Sequence, residues 1–243
     1  MQKPVRLEIG AGNSIAVADA GSTVFAGARA GNGSFVTATA TANAGSLLVG
    51  STSVVGSLVP DDYTVAFSVD AAGAITYTVT GATSGPVASG SYTPGDTLNF
   101  NGVSLATSGT PANGDILTVS PAGQQDAFAV LSEIAAALSL PDGTAQQSAE
   151  QGNRLTRALE SLDQQMGQVS SVRADVGARM KAAEVASDAN AGAKLQIQQA
   201  LSNVQDLDYA EASTRLAKNL TALQAVQETF SRVSGLSLFN YLR

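Results

Sequence analysis

Two periodicities divide this chain. Up to about residue 120, apolar and polar side chains alternate in short runs broken by Gly, Pro and Asn; beyond it the apolar positions recur every three or four residues. In Tyr63-Thr-Val-Ala-Phe-Ser-Val69 the residues Tyr63, Val65, Phe67 and Val69 share one face. After the turn Asp70-Ala-Ala-Gly73, Ile75, Tyr77 and Val79 alternate with Thr76, Thr78 and Thr80, which predicts a β-hairpin. Further short strands are expected at 5–9, 15–18, 35–40, 87–92, 103–106 and 116–119. Regular short strands with turn residues between them predict a small antiparallel sandwich or barrel, in which 27–56 is low in complexity and reads equally well as a flexible loop.

From residue 122 the period is helical. Phe128, Leu131, Ile134 and Ala135 form a stripe on a helix over 124–138, which Leu140-Pro-Asp-Gly-Thr144 ends. A long helix follows, with Thr144 placed to cap it and Gln147 completing a nominal capping box. Every seventh residue from Leu155 gives Leu155, Leu162, Val169, Val176, Ala183, Asn190, Ile197 and Val204; a second series opens with Leu159 and Met166 and fails at Arg173. This is a heptad-like seam weakened by small residues in its middle, and a helix of that length needs a partner. The acidic stretch 203–211 is expected to interrupt it. A second helix then resumes near Ala210, with Leu216, Leu220, Leu223, Val226, Phe230 and Val233 at helical spacing and Gly235 as its C-cap. Beyond it Leu236, Leu238, Phe239, Tyr241 and Leu242 form an apolar end, a pattern expected of a partner-binding surface. The fold class is therefore mixed β plus α, a small antiparallel β domain followed by a long helical rod. The boundaries are 1–121 for the β domain, 122–205 for the rod and 206–243 for the C-terminal helix and apolar tail.

Composition sharpens the division. Residues 1–120 hold 17 of the 24 glycines and 10 charged side chains, against 23 charged side chains in 121–243. The chain has no His, Cys or Trp and a net charge of −7. Without His or Cys there is no Ser-His-Asp triad, thiol nucleophile, disulfide framework or His- or Cys-ligated zinc site. The acidic balance disfavours binding to nucleic-acid phosphates. No apolar run approaches the length of a membrane span, and no apolar signal segment follows Met1.

Several motifs resemble those of the flagellin family. Arg173-Ala-Asp-Val-Gly-Ala-Arg-Met180 is similar to a helical segment of these proteins, and Leu207-Asp-Tyr-Ala-Glu-Ala212 to the acidic break before their final helix. The run from Leu223 to Leu242, ending Val-Ser-Gly-Leu-Ser-Leu-Phe-Asn-Tyr-Leu, resembles the ends of the hook-associated proteins at the hook–filament junction. Gly95-Asp-Thr-Leu-Asn-Phe-Asn-Gly-Val103 and Ser108-Gly-Thr-Pro-Ala-Asn-Gly-Asp115 resemble their middle domain. The resemblance covers roughly residues 60–243. It implies a structural, non-enzymatic subunit of the bacterial flagellum that joins hook to filament by helical self-assembly. The partners it implies are other copies of the chain, a neighbouring hook-associated protein, flagellin and an export chaperone that binds the C-terminal helices. It also implies an extracellular location reached without a cleaved signal peptide. The family opens with an N-terminal helical segment of about a hundred residues, so this sequence reads as a chain that lacks it. The assembly residues are then Leu216, Leu220, Leu223, Phe230, Val233, Leu236, Leu238, Phe239, Tyr241 and Leu242.

Other candidates have plainer readings. Asp206, Asp208 and Glu211 fit acids near a helix start better than a cation site, having no EF-hand spacing. Asp61-Asp62 and the set Asp96, Asn99 and Asn101 read as turn residues. Gly10-Ala-Gly12-Asn13 and Gly31-Asn-Gly33 lack the rest of a phosphate loop and read as turns. Arg173 and Arg179 are expected on a solvated helix face, with ion pairs across a subunit contact as the other reading. No metal or cofactor is expected. An adhesin-like or phage-tail-like β module on a helical stalk is the alternative function. A carboxylate glycosidase is disfavoured by the acid-poor, aromatic-poor β half.

Overall fold

The computed structural model of the chain describes residues 5–10 and 12–235, with residues 206–208 described by their backbone alone. Strands β1 (Arg6–Gly10) and β2 (Asn13–Ala16) pair as a ribbon, and a single helical turn, α1 (Gly21–Phe25), follows. Eight strands come next: β3 (Phe35–Thr39), β4 (Leu48–Val54), β5 (Tyr63–Val69), β6 (Ile75–Gly81), β7 (Gly85–Tyr92), β8 (Thr97–Phe100), β9 (Val103–Ser108) and β10 (Ile116–Pro121). They form an antiparallel five-stranded sheet in the order β3-β10-β5-β6-β7 and an antiparallel three-stranded sheet in the order β4-β9-β8. Helices α2 (Ala127–Leu138) and α3 (Ala145–Gly235) complete the chain. The described residues divide into two units. One is Ala16–Arg179 with the residues preceding Glu8, the other Glu8–Ile15 with the residues from Met180 onward.

The two large sheets share one core. Tyr63, Val65 and Phe67 of β5 project to the same side by strand alternation and meet Leu98 and Phe100 of β8 and Val103 and Leu105 of β9. Tyr63 and Phe100 cross edge to face with ring centroids 5.3 Å apart, and Phe67 and Tyr92 do so at 5.4 Å. The expected hairpin is β5–β6, with Val65 opposite Val79 and Phe67 opposite Tyr77. Its turn is held by the Asp70 carboxylate, which accepts from the N–H groups of Ala72 and Ala74 at 2.8 Å each.

Turn carboxylates hold two further loops, as expected for Asp61 and Asp96. Asp96 accepts from the Thr93 N–H at 2.6 Å. Asp61 accepts from the N–H groups of Asp62, Thr83 and Ser84. The Ser84 N–H, followed by its hydroxyl, is the main cause holding the Asp61 carboxyl below the usual carboxylate range; partial burial opposes it, and the Thr83 and Asp62 N–H groups add to the lowering. A depressed carboxyl contributes stability that is present above its unfolded value near pH 3.9 and is lost as pH falls through the lower folded value. Wild type should therefore lose stability in acid below about pH 4 more steeply than Asp61→Asn. Urea unfolding of both proteins at pH 6 and pH 3 checks this, and parallel losses would show that Asp61 does not contribute to the acid response.

Two expectations for the helices are corrected, and the direction of a third feature is found. The stripe Phe128, Leu131, Ile134 and Ala135 turns away from the core: Val130 and Ala137 are the buried residues of α2, while Phe128 and Leu131 are exposed. The acidic stretch 203–211 does not break the rod, because α3 runs through it. No Gly or Pro lies between residues 193 and 234, and Ala, Leu, Gln and Glu all favour helix. Arg179 is not on a solvated face. It pairs with Asp19 and donates to the Ala16 carbonyl at 3.1 Å, while Arg173 is exposed.

Candidate assembly surface

Helix α3 starts as its sequence suggests, with the Gln147 N–H donating to the Thr144 hydroxyl at 3.2 Å. In the unit that holds the β sandwich, the face of α3 turned to the strands is small and polar. Ala149, Ala158, Ser161 and Gln165 are its buried residues, and Gly152 lets the backbone come close to Leu48, where an added Cβ would stand 3.2 Å from the leucine Cδ1. Side chains of α3 satisfy strand and loop backbone groups that would otherwise be stranded at the contact. Asn153 accepts from the Val49 N–H at 2.7 Å and donates to the Leu47 carbonyl at 2.8 Å. Gln168 donates to the Thr23 carbonyl at 3.1 Å. Asn32 donates to the Thr52 hydroxyl, which donates to Glu160 at 2.7 Å; burial pushes the Glu160 carboxyl up, against the bonds from Thr52.

The Gly31-Asn-Gly33 turn belongs to this contact, not to a phosphate site. Its Gly31 N–H donates to the Ser161 hydroxyl at 2.8 Å, and Asn32 closes the turn by accepting from the N–H groups of Ser34 and Phe35. Gly31 sits at φ +58°, and a Cβ there would overlap the Phe35 carbonyl oxygen. Gly31→Ala is expected to cost about 2 kcal/mol or more, from left-handed backbone strain plus the displaced turn. Thermal unfolding checks it, and an unchanged midpoint would mean that the turn relaxes freely.

Helix α2 runs antiparallel to this part of α3. Gln165 donates to the Gln125 carbonyl at 2.7 Å, Arg157 pairs with Glu133, and Gln151 reaches the Leu140 carbonyl at 3.4 Å. Asp126 caps α2 by accepting from the N–H groups of Phe128 and Ala129. The cap and this polar register draw one side of α2 inward, and the large apolar side chains stay outside. Phe128, Leu131 and Leu138 on α2, with Leu159 and Met166 on α3, are each more than half exposed. Phe25 of α1 meets Phe128 at 5.9 Å between ring centroids.

In the second unit the pattern is simpler. Asn190 donates to the Ile9 carbonyl at 3.2 Å, and Ala183 and Ala186 are half-buried among exposed neighbours. The small residues in the middle of the heptad seam thus lie where the β1–β2 ribbon meets the helix. Further along, Leu216, Leu223 and Phe230 recur at seven-residue intervals, Val226 and Val233 follow three residues after the last two, and Leu220 lies beside them. All six are exposed, Phe230 at 73%. Ion pairs Glu211–Arg215 and Glu228–Arg232 at i,i+4 stabilise the polar sides. Of the sequence-predicted assembly residues, Leu216, Leu220, Leu223, Phe230 and Val233 therefore share one continuous apolar stripe. Leu236, Leu238, Phe239, Tyr241 and Leu242 lie outside the described residues, as do the side chains of Asp206 and Asp208. Apolar positions at heptad spacing are the pattern by which helices pair with one another.

Residues 159–242 match the family model of the bacterial flagellin C-terminal helical region. The fold is similar to the flagellar junction protein FlgL of Legionella pneumophila, at 29% identity and a TM-score of 0.75, over 78% of this chain and 62% of that one. A structure of the flagellar hook associated protein-3 of Legionella pneumophila matches at 29% identity and a TM-score of 0.79, over 84% of this chain and 65% of that one. FlgL of Xanthomonas campestris matches at 26% identity and a TM-score of 0.75, over 84% and 65% of the two chains. This chain spans less than two thirds of the length of each of these three proteins. A comparison with curated protein sequences finds no match.

Proposed function

We propose that this chain, which carries a flagellin-type C-terminal helical region and shares its fold with flagellar junction proteins, is a structural subunit of the bacterial flagellum that joins hook to filament. The observation that carries the reading is the match of the β domain and the helical rod together, with the exposed stripe of α3 in the region matched by the family model. Junction chemistry of this kind is packing, not catalysis. Helices from neighbouring copies, from an adjoining hook-associated protein and from flagellin cover the apolar seams, while the β domain of residues 1–121 lies to the outside. Residues 122–205 serve as the rod, and 206–243 as its assembly end. Before assembly the same apolar stripe is a liability to aggregation, and an export chaperone binding the C-terminal helices covers it. Export then proceeds without a cleaved signal peptide. An adhesin-like β module explains the Ser/Thr-rich half but gives the flagellin-type helical region no role.

The test is deletion of the gene, with a tagged copy restored. The expected result is hooks that carry no filaments, flagellin shed into the medium, and the tagged protein at the hook tip. Filaments that remain attached after deletion, with the tag spread over the cell surface, would overturn the junction reading in favour of an adhesin.

A further inference from the structure

We propose that the open end of the β sandwich is a binding site for a small carboxylic acid with an aromatic or branched apolar body. A cleft of about 360 Å³ lies there, within the size range of small-ligand sites. Its apolar lining includes Leu58, Val59, Pro60 and Pro121, with the buried Phe35 and Tyr63. The wall is preformed. The Val59 N–H donates to the Asn101 carbonyl at 3.0 Å, the Tyr63 hydroxyl donates to the Val59 carbonyl at 2.6 Å, and Gly102 lies directly against the backbone of Ser57 and Leu58.

The polar groups at the rim set the sign of the ligand. Arg29 lines the cleft and is exposed; its only side-chain bond among the described residues is a long one, 3.4 Å, to the Ala122 carbonyl. Its backbone is fixed by the bridge to Gln124 and by the neighbouring Ala30 N–H, which donates to the Gly123 carbonyl. The guanidinium therefore has donors to spare on a fixed stretch of backbone, and Ser34 lines the same cleft. Asp61, the acidic residue of the lining, keeps its charge but accepts from the N–H groups of Asp62, Thr83 and Ser84, and among the described residues no ion pair joins it to Arg29. An apolar wall beside a guanidinium that has no ion-pair partner among the described residues favours a carboxylate joined to an apolar group, because a planar fork of donors matches the two carboxylate oxygens. None of these residues lies on the helical stripe of α3.

The test is a titration of the ¹⁵N-labelled full chain with 3-phenylpropionate and, separately, with 3-phenylpropionamide. The acid is expected to give saturable shifts at the amides of residues 29, 33–35 and 58–61. The amide should bind about tenfold more weakly, and Arg29→Gln should weaken the acid by about tenfold while leaving the amide unchanged. Val59→Asp should abolish binding of the acid. The proposal is overturned by the absence of saturable shifts, by shifts confined to the helices, or by equal binding of acid and amide. Full affinity for the acid in Arg29→Gln would equally overturn it. If Arg29→Gln fails to fold, the comparison of acid with amide on the wild type still decides.

Discussion

An Asp115→Ala chain is expected to lose on the order of 4 kcal/mol of stability in its β domain, because three backbone N–H groups lose their acceptor at once. Asp115 is 2% exposed. Its carboxylate accepts from the N–H groups of Ala44 and Ala112 at 2.8 Å and of Gly45 at 3.0 Å. These bonds tie the loop before β4 to the loop before β10, two segments some seventy positions apart in the chain. Next to it Asn43 accepts from the Ile116 N–H and donates to the Ile116 carbonyl, each at 2.9 Å, and so continues the ladder of β10 past the end of β3. Removal of the carboxylate strands the donors in a place with little water, and the 20 Å³ cavity beside them admits about one water molecule. Asp115→Asn keeps one acceptor oxygen and should fall between wild type and alanine. Urea unfolding followed by tyrosine near-ultraviolet dichroism reports the β domain, since Tyr63, Tyr77 and Tyr92 lie in its strands. A loss below about 1 kcal/mol for the alanine variant would mean that the loops are held by other contacts.

The same residue shows where sequence reading stops. Strands β3, β5, β6, β7, β9 and β10 carry alternation or turn signals strong enough to be placed, and the β5–β6 register follows from the Asp70–Gly73 turn alone. Strand β4 was hidden. Gly50, Ser51, Thr52 and Ser53 carry no apolar alternation, and the register shifts between Val49 and Thr52. What makes it a strand is tertiary: the ladder to β9, and the Asn153 and Glu160 side chains of α3 that meet it more than a hundred residues later. Asp115, Asn43 and Asn153 act in the same long-range way. As isolated letters they are ordinary loop or helix polar residues, and no local spacing marks them.

The helices teach a different lesson. Periodicity finds an apolar stripe but not the direction in which it points. On α2 the stripe of Phe128 and Leu131 is real, yet the buried side is that of Val130 and Ala137, selected by the Asp126 cap, the Glu133–Arg157 pair and the Gln165–Gln125 bond. On α3 the side against the strands is built from Ala, Gly, Ser, Asn and Gln, which read as solvated positions in a hydrophobic pattern. Large side chains would hold the helix and sandwich apart, whereas small ones let side-chain amides reach the strand backbone. The leucines thereby stay exposed on the isolated chain.

The largest functional effect is expected on α3. Leu223→Asp together with Phe230→Asp puts two carboxylates on successive positions of the exposed heptad stripe. In the isolated chain both side chains are exposed, Phe230 at 73%, so the substitutions should leave the β domain and the overall helicity nearly unchanged. On the function proposed above, an assembled junction covers the stripe. Each lost apolar side chain then removes roughly 1.5–3 kcal/mol of burial, and each carboxylate adds the cost of burying a charge without a partner. Because every copy carries the change, the loss recurs at each contact around a closed assembly. The double variant should therefore be non-motile and should shed filaments. Phe230→Ala alone should weaken filament retention, since truncating a buried aromatic anchor commonly costs about 2 kcal/mol or more. Lys218→Ala, which lies near the opposite side of the same turn from Leu216, should be neutral. Deletion of residues 236–243, with their five large apolar side chains, should match the double variant. Swimming assays and counts of attached filaments, with circular dichroism of each purified chain, make the measurement. Normal motility in the double variant would show that the stripe is not covered in the flagellum, and the assembly surface would have to be sought on Phe128, Leu131, Leu159 and Met166 instead.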